Sequence, residues 1–518
     1  MYQIYSVYAI CTFAAMGGGL FGFDISSMSG VLATSAYTNY FHVNGGYLQG
    51  AITGSMAGGS FFGTLASSFI ADKMSRKTAI QIAAVIWIVG SIFQTAANGI
   101  ALLVFGRVVA GIGAGIASAM VPVYQAEIAP KEIRGRVVSL QQFAITVGIL
   151  VQYFIQYGSS FVDGGPKNPN QSTLAFRIPW GIQIFPATLL AVGMFFVPYS
   201  PRWLAGQDRW EEAIRVLANL HGHGDIGHPK VLAQYREIEE AMTFEREAGH
   251  SAFKALTQPR MLNRVILTVS IQMWSQLCGM NVMMYYIVYM MQAAGVPNLL
   301  LTASIQYILN VVLTLPAILF IDTWGRRPSL LYGALSMMVL LFVVAALEAV
   351  YGVPNPRTDP SLDHISWLIM DNPPISRAIV ACSYLFVSTF AVTWGPTSWT
   401  YASEIFPTGI RAKAVSLATA SNWAWNCALA FAVPTLFQKI NWRMYIVFAV
   451  FNMCAFVQVW LTVRETKGKT LEEMEEVFES GRPAWTGVSR GSRLDRLQRD
   501  IAEGTVKVRL IGRRYEEL

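Results

Sequence analysis

The sequence predicts an all-α membrane protein, with twelve transmembrane helices in two pseudo-symmetric six-helix bundles and a helical insert between them. Three observations predict it. Apolar residues come in runs near 20 residues, basic residues crowd alternate loops, and the two halves repeat each other's motifs. The 518-residue chain is 53% hydrophobic and 13% charged, where a soluble domain carries roughly 25% charge. A helix of about 20 apolar residues crosses a roughly 30 Å hydrocarbon core. This pattern excludes a soluble enzyme.

The runs place spans near 5–30, 47–70, 79–98, 101–124, 138–158, 179–198, 264–293, 300–321, 329–350, 377–402, 414–437 and 442–463. The first is long and has no basic segment ahead of it, so it reads as a retained helix. Between spans 6 and 7 the chain turns polar and helix-like, as in QYREIEEAMTFERE. The tail from 466 is polar, charged and short. Four regions follow: 1–200, the insert 201–260, 261–465 and the tail 466–518.

Short loops give the orientation. Lys73, Arg76 and Lys77 lie between spans 2 and 3, and Lys131, Arg134 and Arg136 between spans 4 and 5. Arg326 and Arg327 follow span 8; Arg411 and Lys413 follow span 10. The loops after spans 1, 3 and 7 carry neither Lys nor Arg. Basic residues mark the cytoplasmic face, so both termini are expected inside. The loop at 159–178 is then outside. It holds Asn170-Gln171-Ser172, a sequon that makes Asn170 a glycosylation candidate, although such triplets also arise by chance.

The halves repeat. ADKMSRK (71–77) matches IDTWGRR (321–327), pairing Asp72 with Asp322 and Arg76 with Arg326 at an offset of 250. AEIAPKEIRGR (126–136) matches SEIFPTGIRAK (403–413), pairing Glu127 with Glu404 and Arg134 with Arg411 at an offset of 277. The Pro-rich loop at 351–376 can hold the 27 extra residues. Duplicated six-span halves are a common build for secondary transporters, with the ligand site between them near the midplane.

Asp24 lies inside span 1 and Arg107 near the start of span 4. An ionisable side chain at membrane depth is costly unless paired or hydrated, so the two are candidates for a pair. A carboxylate that pairs and unpairs with an arginine can take and release a proton. The other reading is a static ion pair that fixes helix packing. The remaining polar groups in the spans are amides: Gln142, Gln272, Gln276, Asn281, Asn310, Asn422 and Asn426. Gln272 and Gln276 share a helix face, as do Asn422 and Asn426, and Gly279 is placed to loosen span 7. Amides donate and accept at once, which suits a neutral hydroxyl-rich ligand. Trp394 and Trp399 flank Gly395-Pro396, and Trp423 lies in span 11; aromatic faces can cover the C–H faces of a pyranose. Interhelical bonding and packing are the alternative roles.

The charged motifs can join acids to bases: Asp72, Arg76, Glu127, Arg134 and Arg136 in one half, Asp322, Arg326, Glu404 and Arg411 in the other. They suit a cytoplasmic gate that closes and opens, or simple orientation by positive charge. Cys11, Cys278, Cys382, Cys427 and Cys454 sit in apolar runs without a CxxC pair and read as small buried hydrophobes. Histidine spacing supports no metal site. GIGAGIAS follows no strand and no P-loop is present, so nucleotide-driven pumping is not expected. No cofactor and no nucleic-acid partner is implied.

These residues resemble the sugar porter family of the major facilitator superfamily over about residues 10–475. DKMSRK, AEIAPKEIRGR, SPRWL (200–204), QLCGMN (276–281), DTWGRRP, SEIFPTGIRAKA and ETKGKTLEEME (465–475) carry the resemblance. GFDISSMS (22–29) looks most like fungal high-affinity hexose transporters, which are proton symporters. The resemblance implies a monosaccharide and a proton as ligands and a plasma-membrane bilayer as setting; a working monomer is expected, with the oligomeric state left open by the sequence. It implies Asp24 and Arg107 as the coupling pair. Gln142, Gln276, Asn281, Asn310, Trp399 and Asn422 match sugar-contacting positions, Gly395 matches a hinge, and 205–250 matches a cytoplasmic helical domain. Ser275 stands where the family has a first glutamine, which leaves a polyol, quinate or disaccharide open as ligand. Ala391 stands where facilitative animal members carry a glutamate. Tyr199 replaces the acid of PESPRWL and Arg464 the proline of PETKGKT. A facilitative uniporter and a sugar sensor remain alternatives; family sensors carry long tails, whereas about 55 residues follow span 12 here.

Overall fold

The computed structural model describes residues 6–508 except 32–33, 43–45, 166–167, 169, 248–255, 286–290, 292–298, 356–366, 371, 480–482, 486–491 and 507. Among the described residues nine spans are long and apolar enough to cross a membrane. They are span 1 (Val7–Val31), span 3 (Arg76–Thr95), span 4 (Ile100–Ile128), span 5 (Arg134–Ser159), span 6 (Leu174–Ile182 and Ile184–Gly193), span 8 (Leu299–Trp324), span 9 (Arg326–Tyr351), span 10 (Pro373–Val392 and Trp394–Glu404) and span 12 (Arg443–Thr462). Spans 2 (Gly46–Met74), 7 (Pro259–Leu277 and Met280–Tyr285) and 11 (Thr408–Lys439) complete the twelve. Glycines and serines dilute span 2, and amides dilute spans 7 and 11, because these helices face protein more than lipid. The expected end of span 7 falls largely outside the described residues.

The repeat read from the motifs is also a repeat of packing. Span 1 lies along span 5, span 2 along span 4, and span 3 along spans 4 and 6. Six spans later, span 7 lies along span 11, span 8 along span 10, and span 9 along spans 10 and 12. The halves meet where span 2 packs on span 11 and span 5 on span 8. Close approach depends on glycine. A Cβ on Gly22 would sit 2.1 Å from the Ile145 carbonyl oxygen of span 5, and one on Gly115 would sit 2.1 Å from that of Ser60 in span 2.

Breaks fall where the chain cannot continue a helix. Span 7 stops at Cys278 and resumes at Met280, because Gly279 adopts φ +99°, a conformation that glycine takes without steric cost. Span 10 breaks at Thr393 (φ −120°, ψ −82°). Pro396 has no N–H to offer the carbonyl four residues back, so the break precedes Gly395 rather than falling on it. The tight turn between spans 2 and 3 holds Ser75 at φ +97°, and its repeat counterpart holds Gly325 at φ +90°. Glycine meets this geometry freely; serine does so while its Oγ accepts from the Thr78 N–H at 3.2 Å.

The insert comprises helices Pro201–Gly206, Trp210–His221 and Pro229–Glu247, with a small core of Trp210, Ile214, Leu217, Tyr235 and Ile238. Two features went unread in the sequence. The tail carries a helix, Arg493–Ala502, packed on Pro229–Glu247. The loop after span 9 pairs Val353–Pro354 with Trp367–Leu368 in a short antiparallel ladder. The cysteine reading needs correction: Cys11 and Cys278 are buried, Cys382 and Cys427 are half-buried, and Cys454 is exposed on span 12. A helix surrounded by lipid keeps an apolar thiol stable on its outer face. Gly115→Val should cost about 1–3 kcal/mol or more through overpacking, read as loss of monodisperse protein in size-exclusion chromatography of detergent extracts.

Candidate functional site

Arg107 and Asp24 form the pair that their depth required. Arg107 Nη2 donates to Asp24 Oδ2 at 3.0 Å, and both side chains are fully buried. Span 2 supplies the remaining acceptors: Arg107 Nε donates to the Ile52 carbonyl at 2.9 Å and Nη2 to that of Thr53 at 3.4 Å. Among the described residues, Asp24 Oδ1 and Arg107 Nη1 find no hydrogen-bond partner. The pair therefore joins spans 1, 2 and 4, with one hydrogen bond between the two charges and one carboxylate oxygen left open.

The amides of the second half form a directional chain. Asn281 and Asn426 (3.3 Å) both donate to Gln276 Oε1. Gln276 Nε2 donates to Asn422 Oδ1 at 2.7 Å, and Asn422 Nδ2 to Gln272 Oε1 at 2.8 Å and Ser275 Oγ at 3.1 Å. Gln272 Nε2 ends the chain on the Ser398 carbonyl of span 10, at 3.3 Å. The chain spans both sides of the Gly279 break. Successive bonds polarise one another in a low dielectric, and a ligand with several hydroxyls can replace these internal bonds one for one. Ser275 is thus a working member of the cluster.

The other expected residues Gln142, Asn310 and Trp399 are also buried. Gly395 brings span 10 against Gln142: a Cβ there would lie 3.1 Å from Gln142 Nε2. Asn310 is buried with Oδ1 unbonded. Trp399 is buried one residue beyond Ser398. Trp394 is placed elsewhere: its indole N–H donates to the Leu330 carbonyl of span 9 at 2.9 Å, which is the packing role. Trp423 reaches across the halves, donating to Ser118 Oγ at 3.0 Å and meeting Phe21 edge-on at 4.5 Å.

On the face that carries the basic motifs, equivalent pairs recur in each half. Arg76 Nε donates to Glu127 Oε1 at 3.2 Å; its counterpart Arg326 bonds both oxygens of Glu404 at 2.7 and 3.1 Å. The aspartates cross between halves. Asp72 pairs with Lys413 at 2.9 Å. Asp322 accepts from the Gly135 and Arg136 N–H groups at 3.1 and 3.0 Å and lies 3.9 Å from the Arg136 guanidinium. Arg411 approaches Glu127 at 3.9 Å, and Ser67 bonds Ser416 at 2.8 Å. Arg134 bonds the Lys469 carbonyl at 3.2 Å. This face is closed.

Comparison with known proteins follows from this geometry. The model of the family described as sugar (and other) transporter matches residues 10–478. The chain belongs to that family. It is 63% identical to the protein named MFS glucose transporter mfs1 of Aspergillus flavus, covering 98% of this chain and 96% of that one. It is 45% identical to a high-affinity glucose transporter of Kluyveromyces lactis, covering 93% and 87%. Among solved structures it resembles the proton:xylose symporter XylE bound to 6-bromo-6-deoxy-D-glucose, with a TM-score of 0.78, 26% identity, and coverage of 92% and 100%. The protein is a multi-pass sugar transporter with the major facilitator fold, and it is not an enzyme.

Several site residues were not singled out in the sequence. Lys413 is the repeat counterpart of Arg136, so the 277-residue offset could have found it. Arg202 of SPRWL grips both oxygens of Glu472 at 2.8 and 3.2 Å and donates to the Glu127 carbonyl at 2.7 Å. Glu465 accepts from the Arg326 and Arg327 N–H groups at 2.9 and 3.0 Å. Both departures near this face are accommodated. Lys77 sits 4.8 Å over the Tyr199 ring where the family has an acid, a cation–π contact. Arg464 donates to the carbonyls of Val477 and Phe478 at 2.6 and 2.9 Å.

The buried carboxyls of this face titrate differently. Burial alone would raise Glu472; the Arg202 charge and its bonds more than offset that and hold it at about 2. Burial and the Glu472 charge push Glu237 up to about 8, against the Thr470 hydroxyl and Arg202. A raised carboxyl binds more protons folded than unfolded, so its contribution to stability falls as pH rises from about 4.5 to about 8. Glu237→Gln should flatten this part of the pH dependence of thermal unfolding in detergent, with its largest gain at the alkaline end.

Proposed function

We propose that this transporter imports a monosaccharide, a hexose or pentose, together with a proton by alternating access. The observation that carries the reading is the buried Asp24–Arg107 pair, with one carboxylate oxygen and one guanidinium nitrogen unbonded. Protonation of Asp24 removes its attraction for Arg107 and frees span 1 from spans 2 and 4. Phe21, one turn before Asp24 on the same helix, touches Trp423, and Trp423 follows Asn422 of the amide chain. A shift of span 1 therefore reaches the ligand site through one contact. The amide chain contains no titratable group, so it recognises a neutral ligand while pH acts through Asp24. Gln142, Gln272, Gln276, Asn281, Asn310, Trp399, Asn422 and Asn426 are the proposed sugar-facing set. The names of the relatives and of the solved neighbour, which mention glucose and xylose, support a monosaccharide.

In this reading regions 1–200 and 261–465 rock against each other, with 201–260 and 466–518 on the cytoplasmic side. The acid–base pairs form the cytoplasmic gate, closed in this conformation. Both termini are inside, the plasma membrane is the setting, and the monomer is the working unit. The side chain of Asn170 is exposed, as glycosylation requires; Asn170→Gln should remove a glycosidase-sensitive mobility shift.

Expression in a yeast lacking hexose transport tests the coupling. Sugar addition to energised cells should drive proton influx; a facilitative carrier of this fold would show uptake without influx. Asp24→Asn should abolish accumulation, bringing the internal-to-external ratio of a non-metabolised sugar to unity, while exchange persists. Accumulation retained in that variant would remove Asp24 from the coupling role. A competition panel of hexoses, pentoses, polyols, quinate and disaccharides in the same strain identifies the ligand class.

A further inference from the structure

The tail beyond span 12 touches three parts of the closed face. Ser492 is the N-cap of helix Arg493–Ala502 (φ −105°, ψ 141°). Its Oγ donates to Glu473 Oε1 at 2.6 Å, and the N–H groups of Arg493 and Leu494 (3.3 Å) converge on the same oxygen. Glu473 Oε2 accepts from the Thr470 N–H at 3.0 Å. Ser492 and Glu473 are 2% and 4% exposed. Asp495 meets Lys131, in the loop between spans 4 and 5, at 2.5 Å. Arg493 meets Glu240 of the insert at 2.7 Å. Leu494 closes a pocket whose walls include Arg134 and Leu217, from the first half and the insert. One helix thus bridges a first-half loop, the insert and the segment that follows the second half. Those are the parts that must separate when this face opens.

We propose that helix Arg493–Ala502 is a strap that holds the cytoplasmic face shut, and that phosphorylation of Ser492 releases it. The proposal rests on the alternating-access reading above, with this face cytoplasmic. A phosphate at a free helix N-terminus is normally favourable. Here Glu473 already occupies the backbone N–H groups, so two anions would compete for one buried cap. The added charge of about −1.5 to −2 would face the Glu473 carboxylate at a cap where both residues are buried. Transfer takes place on the undocked tail and blocks its return. A protein kinase moves the γ-phosphoryl of a nucleoside triphosphate: the terminal P–O bond breaks, the Oγ–P bond forms, the hydroxyl proton passes to the kinase's base and the nucleoside diphosphate leaves. Arg490-Gly491-Ser492-Arg493 places a base on each side of the serine, which suits a kinase with an acidic substrate groove.

Two thiol readouts on the full chain in inside-out vesicles test the strap. The double variant Arg493→Cys with Glu240→Cys should cross-link with a bis-maleimide whose span matches the Arg493–Glu240 side-chain reach, reporting docking. Ser416→Cys, opposite Ser67, should react slowly with an impermeant thiol reagent while the face is closed, measured against the parent chain with its native cysteines. Adding Ser492→Glu should cut the cross-link several-fold and speed labelling at 416 several-fold; Ser492→Ala should change neither. An undiminished cross-link in Ser492→Glu overturns the release, and a lost cross-link with unchanged labelling overturns the strap. Neither readout needs sugar or uptake, so failure of the strap is distinguishable from failure of the transport reading.

Discussion

Hydrocarbon offers a charge nothing to bond to, and this requirement decides where the helices of this protein cross. Arg107, Arg326 and Arg411 are among its largest fully buried side chains. Each meets an acceptor on another segment: Asp24 and the span 2 carbonyls, Glu404, and the Phe406 carbonyl with Glu127 behind it. Removing one member of a buried pair leaves the other uncompensated, at about 3–5 kcal/mol. Such pairs therefore fix crossings more firmly than apolar contacts, since lipid can replace an apolar neighbour at little cost.

The charges and the amides divide the work by half. The ionic pair at membrane depth belongs to spans 1 and 4, and the amide chain to spans 7 and 11 with its end on span 10. Neutral groups hold their hydrogen-bonding pattern across pH, whereas a lone carboxylate does not. Under the proposed coupling, this separation would let protonation change helix positions without altering the chemistry of the amide cluster. The link between the two is narrow: Phe21 against Trp423, and Trp423 on Ser118.

How much of this was legible in the sequence depended on whether the physics was local. Spans, insert and loop charge follow from composition over about 20 residues, and the equivalence of Arg76–Glu127 with Arg326–Glu404 follows from the motif repeat. The break at Gly279 was readable because glycine has a backbone preference of its own. The cross-half partners of Asp72 and Asp322 were not, since motif alignment relates residues by symmetry rather than by contact; within its own motif Asp322 also meets Arg326 at 2.9 Å. The bond from the Trp394 indole to the Leu330 carbonyl was not readable, because its spacing from Trp399 says nothing about which neighbouring helix its indole meets. The tail helix escaped because Arg493–Ala502 reads as charged and solvated until Leu494 and the Glu473 cap are seen docked on the insert.

The repeated acid–base pairs also differ in burial, within each half and between halves. Within each half, Arg76–Glu127 and Arg326–Glu404 are almost wholly buried. Between halves, water reaches the pairs: Asp72 is 33% exposed beside Lys413 at 17%, and Arg136 is 36% exposed beside Asp322 at 10%. A partly hydrated pair contributes little, about 0–1 kcal/mol at a surface, and water can take up its charges as it separates. Glu127 and Arg411 are the buried cross-half contact, at 3.9 Å. Each keeps a nearer partner in its own half: Arg76 at 3.2 Å for Glu127, and the Phe406 carbonyl at 2.8 Å for Arg411. On opening, Glu127 would keep a charged partner, whereas Arg411 would keep only a neutral carbonyl. Under the alternating-access proposal, opening would separate the partly hydrated pairs Asp72–Lys413 and Arg136–Asp322 at small cost, and the larger cost would fall on the buried contacts Glu127–Arg411 and Arg202–Glu472.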